Sequence, residues 1–196
     1  MLGLVKKKII ILAVILILII GGVYAYIQFN KSIQLAIASN FEECEAAGYP
    51  VAESYPRICT TPDGRSLVED IGNELEYTDF IRVDSPRPNT TIKSPLVITG
   101  MARGSWFWEG NSTAELYDGS GKSIGFGHVV ATGEWMTSDF VSMEGKIEFE
   151  NPDTLIGKLV LRNDNPSGLA ENQKELTVPV RFKRKLLHPQ RPDTPQ

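Results

Sequence analysis

"SPLVITGMARGSWFWEG", residues 94–110, opens on alternating apolar positions and closes on three aromatic rings in a row between glycines. The first half reads as a β-strand, because Leu96, Ile98 and Ala102 recur with a period of two. Gly104 permits a bend or bulge at its end. If the strand resumes beyond that glycine, Trp106 and Trp108 share one face and Phe107 takes the other. Three large rings on two faces cannot all be core. The expectation is that Trp106 and Trp108 pack inside, with Trp135 of "GEWMT" as a neighbour, and that Phe107 is the more exposed. The competing expectation is a surface patch, which makes Trp106, Phe107 and Trp108 candidate partner-binding residues.

Outward from this stretch the same period persists. "FIRVDSP", "SPLVITGMA", "STAELYD", "SIGFGHVVAT", "GKIEFE", "GKLVLRND" and "KELTVPVRF" are short runs rich in Val, Ile, Leu and Phe, divided by Gly, Pro, Asn and Asp. They predict about seven strands. No helical periodicity of useful length separates them, so parallel crossover units are excluded. The fold class expected is all-β, an antiparallel β-sandwich over residues 80–182. The tail, 183–196, "KRKLLHPQRPDTPQ", is basic and then proline-rich and is expected to be disordered.

At the other end, residues 9–20, "IIILAVILILII", are wholly apolar, and "GGVYAYI" extends the run to Ile27, enough to cross a bilayer as a helix. Residues 1–27 therefore meet a membrane, as a signal-anchor or as a signal peptide. For the anchor, Lys6, Lys7 and Lys8 put the N-terminus in the cytoplasm and the rest outside. For the signal peptide, Gly21 and Gly22 break the helix and cleavage after Ala25 releases a secreted protein. Residues 28–40 read as a spacer. The chain has 196 residues, 42% hydrophobic and 22% charged, the composition of one ordinary domain with accessories. Its formal charge is −4, and since Lys6, Lys7 and Lys8 are the only charges before Gln28, the part beyond carries −7. That argues against a nucleic-acid partner.

Residues 41–75 contain Cys44 and Cys59, the only cysteines, amid the turn signals Gly48, Pro50, Pro56 and Pro62-Asp63-Gly64. Such a segment buries too little apolar surface to fold on that basis alone. In an extracytoplasmic setting the two cysteines are expected to form a disulfide. Its pattern, C-E-A-A-G-x-P-V-x-E-S-Y-P-R-x-C-x-x-x-D-G, resembles a short two-cysteine segment recurring in exported bacterial proteins, to which no activity attaches.

The larger region carries a resemblance too. "IRVDSPRPNTTIKSPLVITGMARGSWFWEG" (81–110), "GEWMTSDFVSMEGKIEF" (133–149) and "GKLVLRNDNPSGLAENQKELTVPVRF" (157–182) are similar to Gmad2, the immunoglobulin-like domain of bacterial spore germination. The resemblance implies an immunoglobulin-like sandwich on an exported bacterial protein, with a possible link to sporulation or germination, and brings no catalytic residues. No cysteine pair lies inside this sandwich, unlike antibody-type domains.

Chemical motifs are incomplete. Gly121-Lys122-Ser123-Ile124-Gly125 fits the G-x-S-x-G of serine hydrolases, but a turn precedes it and a strand follows, where the mechanism needs strand, turn and helix. The same residues end like a phosphate-binding loop whose first glycine is replaced by Leu116. In "NDNPSGLAENQK", Asn163, Asn165 and Ser167 stand at calcium-ligand spacing, but the closing glutamate is Lys174; Asp164 and Glu171 leave a different calcium geometry as a minor alternative. Arg57, followed by "CTTPDG", resembles the reactive loop of a Kazal-type inhibitor and is the fourth candidate partner-binding residue. The function expected is non-enzymatic, with no catalytic residues, cofactor or metal: an extracytoplasmic envelope protein binding an envelope protein or cell-wall polymer. The alternative is a protease-inhibitor-like module presenting Arg57.

Overall fold

The computed structural model describes residues 2–35 and 38–184, which form two compact units dividing between Glu69 and Asp70. Residues 185–196, the greater part of the tail, lie outside the described residues. The N-terminal helix α1 (Leu2–Leu35) has a stretch, Leu12–Phe29, long and apolar enough to cross a membrane. It runs unbroken through Gly21 and Gly22, contrary to the expected break. A glycine costs a helix about 1 kcal/mol relative to alanine, too little to interrupt so long a run of aliphatic residues. It also continues through residues 28–35 of the segment read as a spacer.

The rest of the first unit is a small disulfide-closed module. Its helix α2 (Phe41–Ala46) starts where the Asn40 side chain accepts from the Glu43 N–H, while the Glu43 carboxylate reaches back to the Ser39 N–H. This reciprocal capping satisfies donors a short helix otherwise leaves open. Strands β1 (Val51–Ala52), β2 (Ile58–Thr60) and β3 (Ser66–Val68) form an antiparallel sheet in that order. A Cys44–Cys59 disulfide, Cα atoms 6.1 Å apart, joins α2 to the central strand. Around it only Ala38, Phe41, Tyr49, Val51 and Leu67 make an apolar cluster.

The second unit begins with helix α3 (Glu74–Tyr77), followed by β4 (Ile81–Ser85), β5 (Leu96–Arg103), β6 (Asn111–Asp118), β7 (Ser123–Ala131), β8 (Phe140–Ile147), β9 (Ile156–Arg162) and β10 (Glu175–Arg181). All seven strands are antiparallel, in the order β10-β9-β6-β7-β8-β5-β4. One sheet serves both layers, because β7 pairs with β6 along its length and turns at Val129–Ala131 to pair also with β8. Across the opening, Thr91 bridges Arg181 of β10, so the sheet curls almost into a barrel. Alternate residues point inward: Ile81 and Val83, Leu96 and Ile98, Ala114 and Leu116, Leu159 and Leu161, Leu176, Val178 and Val180 are buried in one core. This is the expected immunoglobulin-like, seven-strand arrangement.

Two details differ from the expectation. Strand β8 begins at Phe140, five residues ahead of the "GKIEFE" run, its inward Val141 and Met143 being masked by polar neighbours. The segment after Gly104 is not a strand: Gly104–Trp106 is a 3₁₀ turn, so strand alternation does not govern the rings.

Candidate functional site: the loop end beside Trp108

Antiparallel pairing brings three loops to one end of the sandwich: 104–110 between β5 and β6, 132–139 between β7 and β8, and 163–174 between β9 and β10. The Gly104 N–H donates to the Asp139 carbonyl at 3.1 Å, the Ala131 N–H to Gly110 at 2.9 Å, and the Asp164 N–H to Trp106 at 3.1 Å. Gly104 is required for this approach, since a Cβ there would lie 2.1 Å from the carbonyl oxygens of Thr137 and Trp135.

Within loop 104–110 the turn sorts the rings. Trp106 and Phe107 are buried, 1% and 3% exposed, while Trp108 is 49% exposed. The expected assignment, both tryptophans inside and Phe107 outside, is therefore corrected: the 3₁₀ turn ends at Trp106 and the chain becomes extended at Phe107 (φ −99°, ψ 150°), a break in strand alternation that lets both rings reach the core. Trp106 stacks edge-on against Tyr77 at 6.3 Å, and Trp135 lies half-buried against the core. Burial removes Trp106 and Phe107 as docking residues and leaves Trp108.

Trp108 is held by a two-residue hairpin turn. Trp108 and Asn111 exchange both backbone hydrogen bonds, at 3.0 and 2.9 Å, across Glu109 and Gly110. Both turn residues have positive φ, +50° at Glu109 and +75° at Gly110. This geometry favours Asn-Gly, and a glutamate in the left-handed region is a departure from local preference. Trp108 and Glu109 border a concavity of about 330 Å³ shared with Ser112, His128 and Asp164. On the same end Met136 and Leu169 are exposed.

Nothing in this arrangement is a hydrolytic centre. Ser123 heads β7 and donates its hydroxyl to Glu115; it pairs with Tyr117 whereas His128 pairs with Thr113, four residues and about 13 Å away along β6, so the histidine is out of reach of the hydroxyl. The calcium-like loop is occupied with itself. The Asn163 carboxamide oxygen accepts from the Lys174 N–H at 2.6 Å, the Asn165 amide donates to the Leu169 carbonyl, and the Ser167 hydroxyl donates to Asn165. Among the described residues no three His, Cys, Asp or Glu side chains converge as a metal cluster.

The seven-strand antiparallel sheet agrees with a comparison against known families. Residues 80–170 match Gmad2. This family is described as the immunoglobulin-like domain of bacterial spore germination. The match spans β4 to β9 and the first part of the last loop, and β10, beyond the match, completes the sheet. No curated protein and no solved structure matches the chain.

Outside the Gmad2 domain, Arg57 does not project as an inhibitor's arginine must. Its Nε and Nη2 donate to the two Glu69 oxygens at 2.9 and 2.8 Å, Nη1 donates to Glu45 at 2.6 Å, and its guanidinium lies 4.8 Å from the centre of the Phe41 ring. The arginine pins β2 to α2 and to the residue after β3, a structural use that the inhibitor reading did not foresee. The ordering residues Asn40 and Glu69 were not singled out from the sequence, although Asn40 stands three residues before Glu43 in a recognisable cap pattern.

Proposed function

We propose that the chain is a non-enzymatic protein anchored by α1, with its N-terminus in the cytoplasm, whose Gmad2 domain docks an envelope protein or cell-wall polymer outside the cell. The observation that carries this is the half-exposed Trp108 on the loop end, where Met136 and Leu169 are also exposed. Apolar side chains exposed together mark interaction surfaces when they form a patch, and aromatic anchors concentrate interface energy. Loops at one end of an immunoglobulin-like sandwich are positioned by a rigid scaffold, which suits them to binding. The family match supports a setting in spore germination or sporulation, and the unbroken helix supports retention in the membrane over cleavage after Ala25. The test is cross-linking of the full chain in cell envelopes. Trp108→Ala is expected to abolish the cross-linked product, whereas Val97→Ala, exposed on β5, leaves it intact. A product of equal yield from both variants overturns the docking surface, and N-terminal sequencing that begins at Tyr26 overturns the anchor.

A further inference from the structure

The outer face of β4, β5 and β8 holds two arginines stacked on one ring. Buried Ile81, Val83, Ala102 and Val141 alternate with outward Arg82, Arg103 and Phe140, and Arg103 pairs directly with Phe140 across the sheet. Both guanidinium carbons lie 4.5 Å from the centre of the Phe140 ring, so the two charges are at most twice that far apart. Main-chain carbonyls fix them there. The Arg82 Nε donates to the Thr78 carbonyl at 2.9 Å, the Arg103 Nε to the next carbonyl, Asp79, at 2.9 Å, and the Arg103 Nη1 to the Ser138 carbonyl at 2.9 Å. Among the described residues, both Nη groups of Arg82 and the Nη2 of Arg103 have no acceptor.

What the pair lacks is a counter-charge. Arg57, Arg65, Arg87 and Arg162 each hold a carboxylate. Among the described residues neither Arg82 nor Arg103 does, although Asp79, Asp84, Asp139 and Glu144 stand close to them along the chain. Like charges held near one another repel, and a chain that carries −7 beyond Gln28 has carboxylates enough to neutralise them. Two cations kept together, fixed and left without a carboxylate point to an anion from outside the chain. A guanidinium presents a planar fork of donors matched to oxyanions. A phosphodiester presents two charged oxygens splayed tetrahedrally, one for each fork. The four neighbouring carboxylates decide how that group arrives. A flat anionic bilayer would press against them as well and be repelled, whereas a single polymer strand reaches the pair alone.

We infer that Arg82 and Arg103 together bind a phosphodiester of an anionic polymer outside the cell. The site rests on the topology proposed above but not on Trp108: it lies on the outer face of the sheet and is a second site beyond the docking surface. Phe140 is its positioning residue, the ring on which both forks are held.

The full chain in uncharged detergent is titrated with synthetic oligo(glycerol phosphate) and with oligoglutamate of equal charge, following the heat of binding. The phosphate oligomer is expected to bind, more weakly as salt is raised. Arg82→Gln and Arg103→Gln each weaken it about two- to fivefold, as for exposed ion pairs, and both together about tenfold. Phe140→Leu weakens it about as much as either arginine variant. Lys146→Gln, at the far end of β8, and Trp108→Ala leave it unchanged, which excludes attraction to any exposed cation and separates this site from the docking surface. Melting of each variant is followed; should Arg103→Gln melt lower, Arg82→Gln decides, since that side chain is exposed and holds a single carbonyl. In nanodiscs, phosphatidylglycerol in place of phosphatidylcholine is expected to preserve the ratio of affinities between wild type and double variant. Oligoglutamate binding as tightly as the phosphate oligomer overturns the proposal in favour of an acidic peptide, and a ratio that falls to one in anionic discs overturns it in favour of lipid headgroups. Equal binding by wild type and Arg82→Gln, or loss of binding in Trp108→Ala, also overturns it. Envelope cross-linking indifferent to Trp108 removes the docking surface and leaves this site standing.

Discussion

At Trp106, Phe107 and Trp108 the three consecutive rings have different energetic roles. Trp106 and Phe107 are in the core, so replacing either with alanine is expected to cost about 3 to 5 kcal/mol. Trp108→Ala is expected to stay within about 0.5 kcal/mol, the range for surface changes away from special features. Denaturation midpoints of the three variants check this, and a large shift for Trp108 beside a small one for Phe107 would reverse the assignment. One residue further, Glu109 sits at φ +50°. A left-handed conformation costs an ordinary L-residue roughly 1–2 kcal/mol, much of which asparagine avoids. Glu109→Asn is therefore expected to raise stability by about 0.5 to 1 kcal/mol, read from melting. A variant that melts lower would mean that the glutamate is structural.

Between elements, the outer face of β6, β9 and β10 is tied by one ion network: Arg162 holds Glu115 at 2.9 Å and Glu175 at 2.8 Å. A hydrogen bond from Ser123, then those from Tyr117 and Arg162, hold the Glu115 carboxyl below the usual carboxylate range. A carboxyl with a folded-state pKa below its unfolded value stabilises the fold above the unfolded pKa of about 4.3 and loses that contribution as pH falls through the folded value. Acid unfolding of the wild type should steepen below about pH 4, and Glu115→Gln should flatten that limb; an unchanged limb refutes the role. In the small module, a loop closed over 15 residues is worth about 3 kcal/mol, nearly all that so small a cluster has. Paired Cys44→Ser and Cys59→Ser substitution should open the module to trypsin after Arg57 and Arg65, with the sandwich left whole; resistance of the variant would show that the Arg57 contacts suffice. The strands were legible because alternation of Leu96, Ile98 and Ala102, or of Leu176, Val178 and Val180, is a local consequence of a half-buried sheet. The ring assignment was not, because a 3₁₀ turn of three residues has no periodicity to read and is set by the close approach of Gly104 to Thr137 and Trp135. The carboxylates around Trp108 are scattered over loops tens of residues apart, and only the strand order brings them together.

For the molecule as a whole, the boundary of the sandwich is a matter of who covers the outer edge of β10. An uncovered edge strand offers unpaired backbone groups to other chains. Here the Asn73 side chain covers it in part, its amide donating to the Glu175 carbonyl at 2.9 Å and its oxygen accepting from the Thr177 N–H at 2.7 Å. Gly72, at φ +69°, lets the chain lie so close that a Cβ would fall 2.0 Å from the Thr177 oxygen. Asn89 ties back to the Asp70 carbonyl, Arg87 to Glu74, and Tyr77 packs on Trp106. Residues 70–79, part of which read from the sequence as the end of the cysteine module, are thus built into the sandwich. A fragment of residues 70–184 is expected to melt cooperatively and well above one of residues 80–184. Two lost hydrogen bonds alone are worth about 2 kcal/mol, or roughly 10 °C in a domain of this size. Asn73→Ala in the longer fragment isolates that contribution and should also favour self-association, since it bares the edge. Equal melting of the two fragments, or a monomeric and undiminished Asn73→Ala variant, would show that the sandwich holds its edge without this strap.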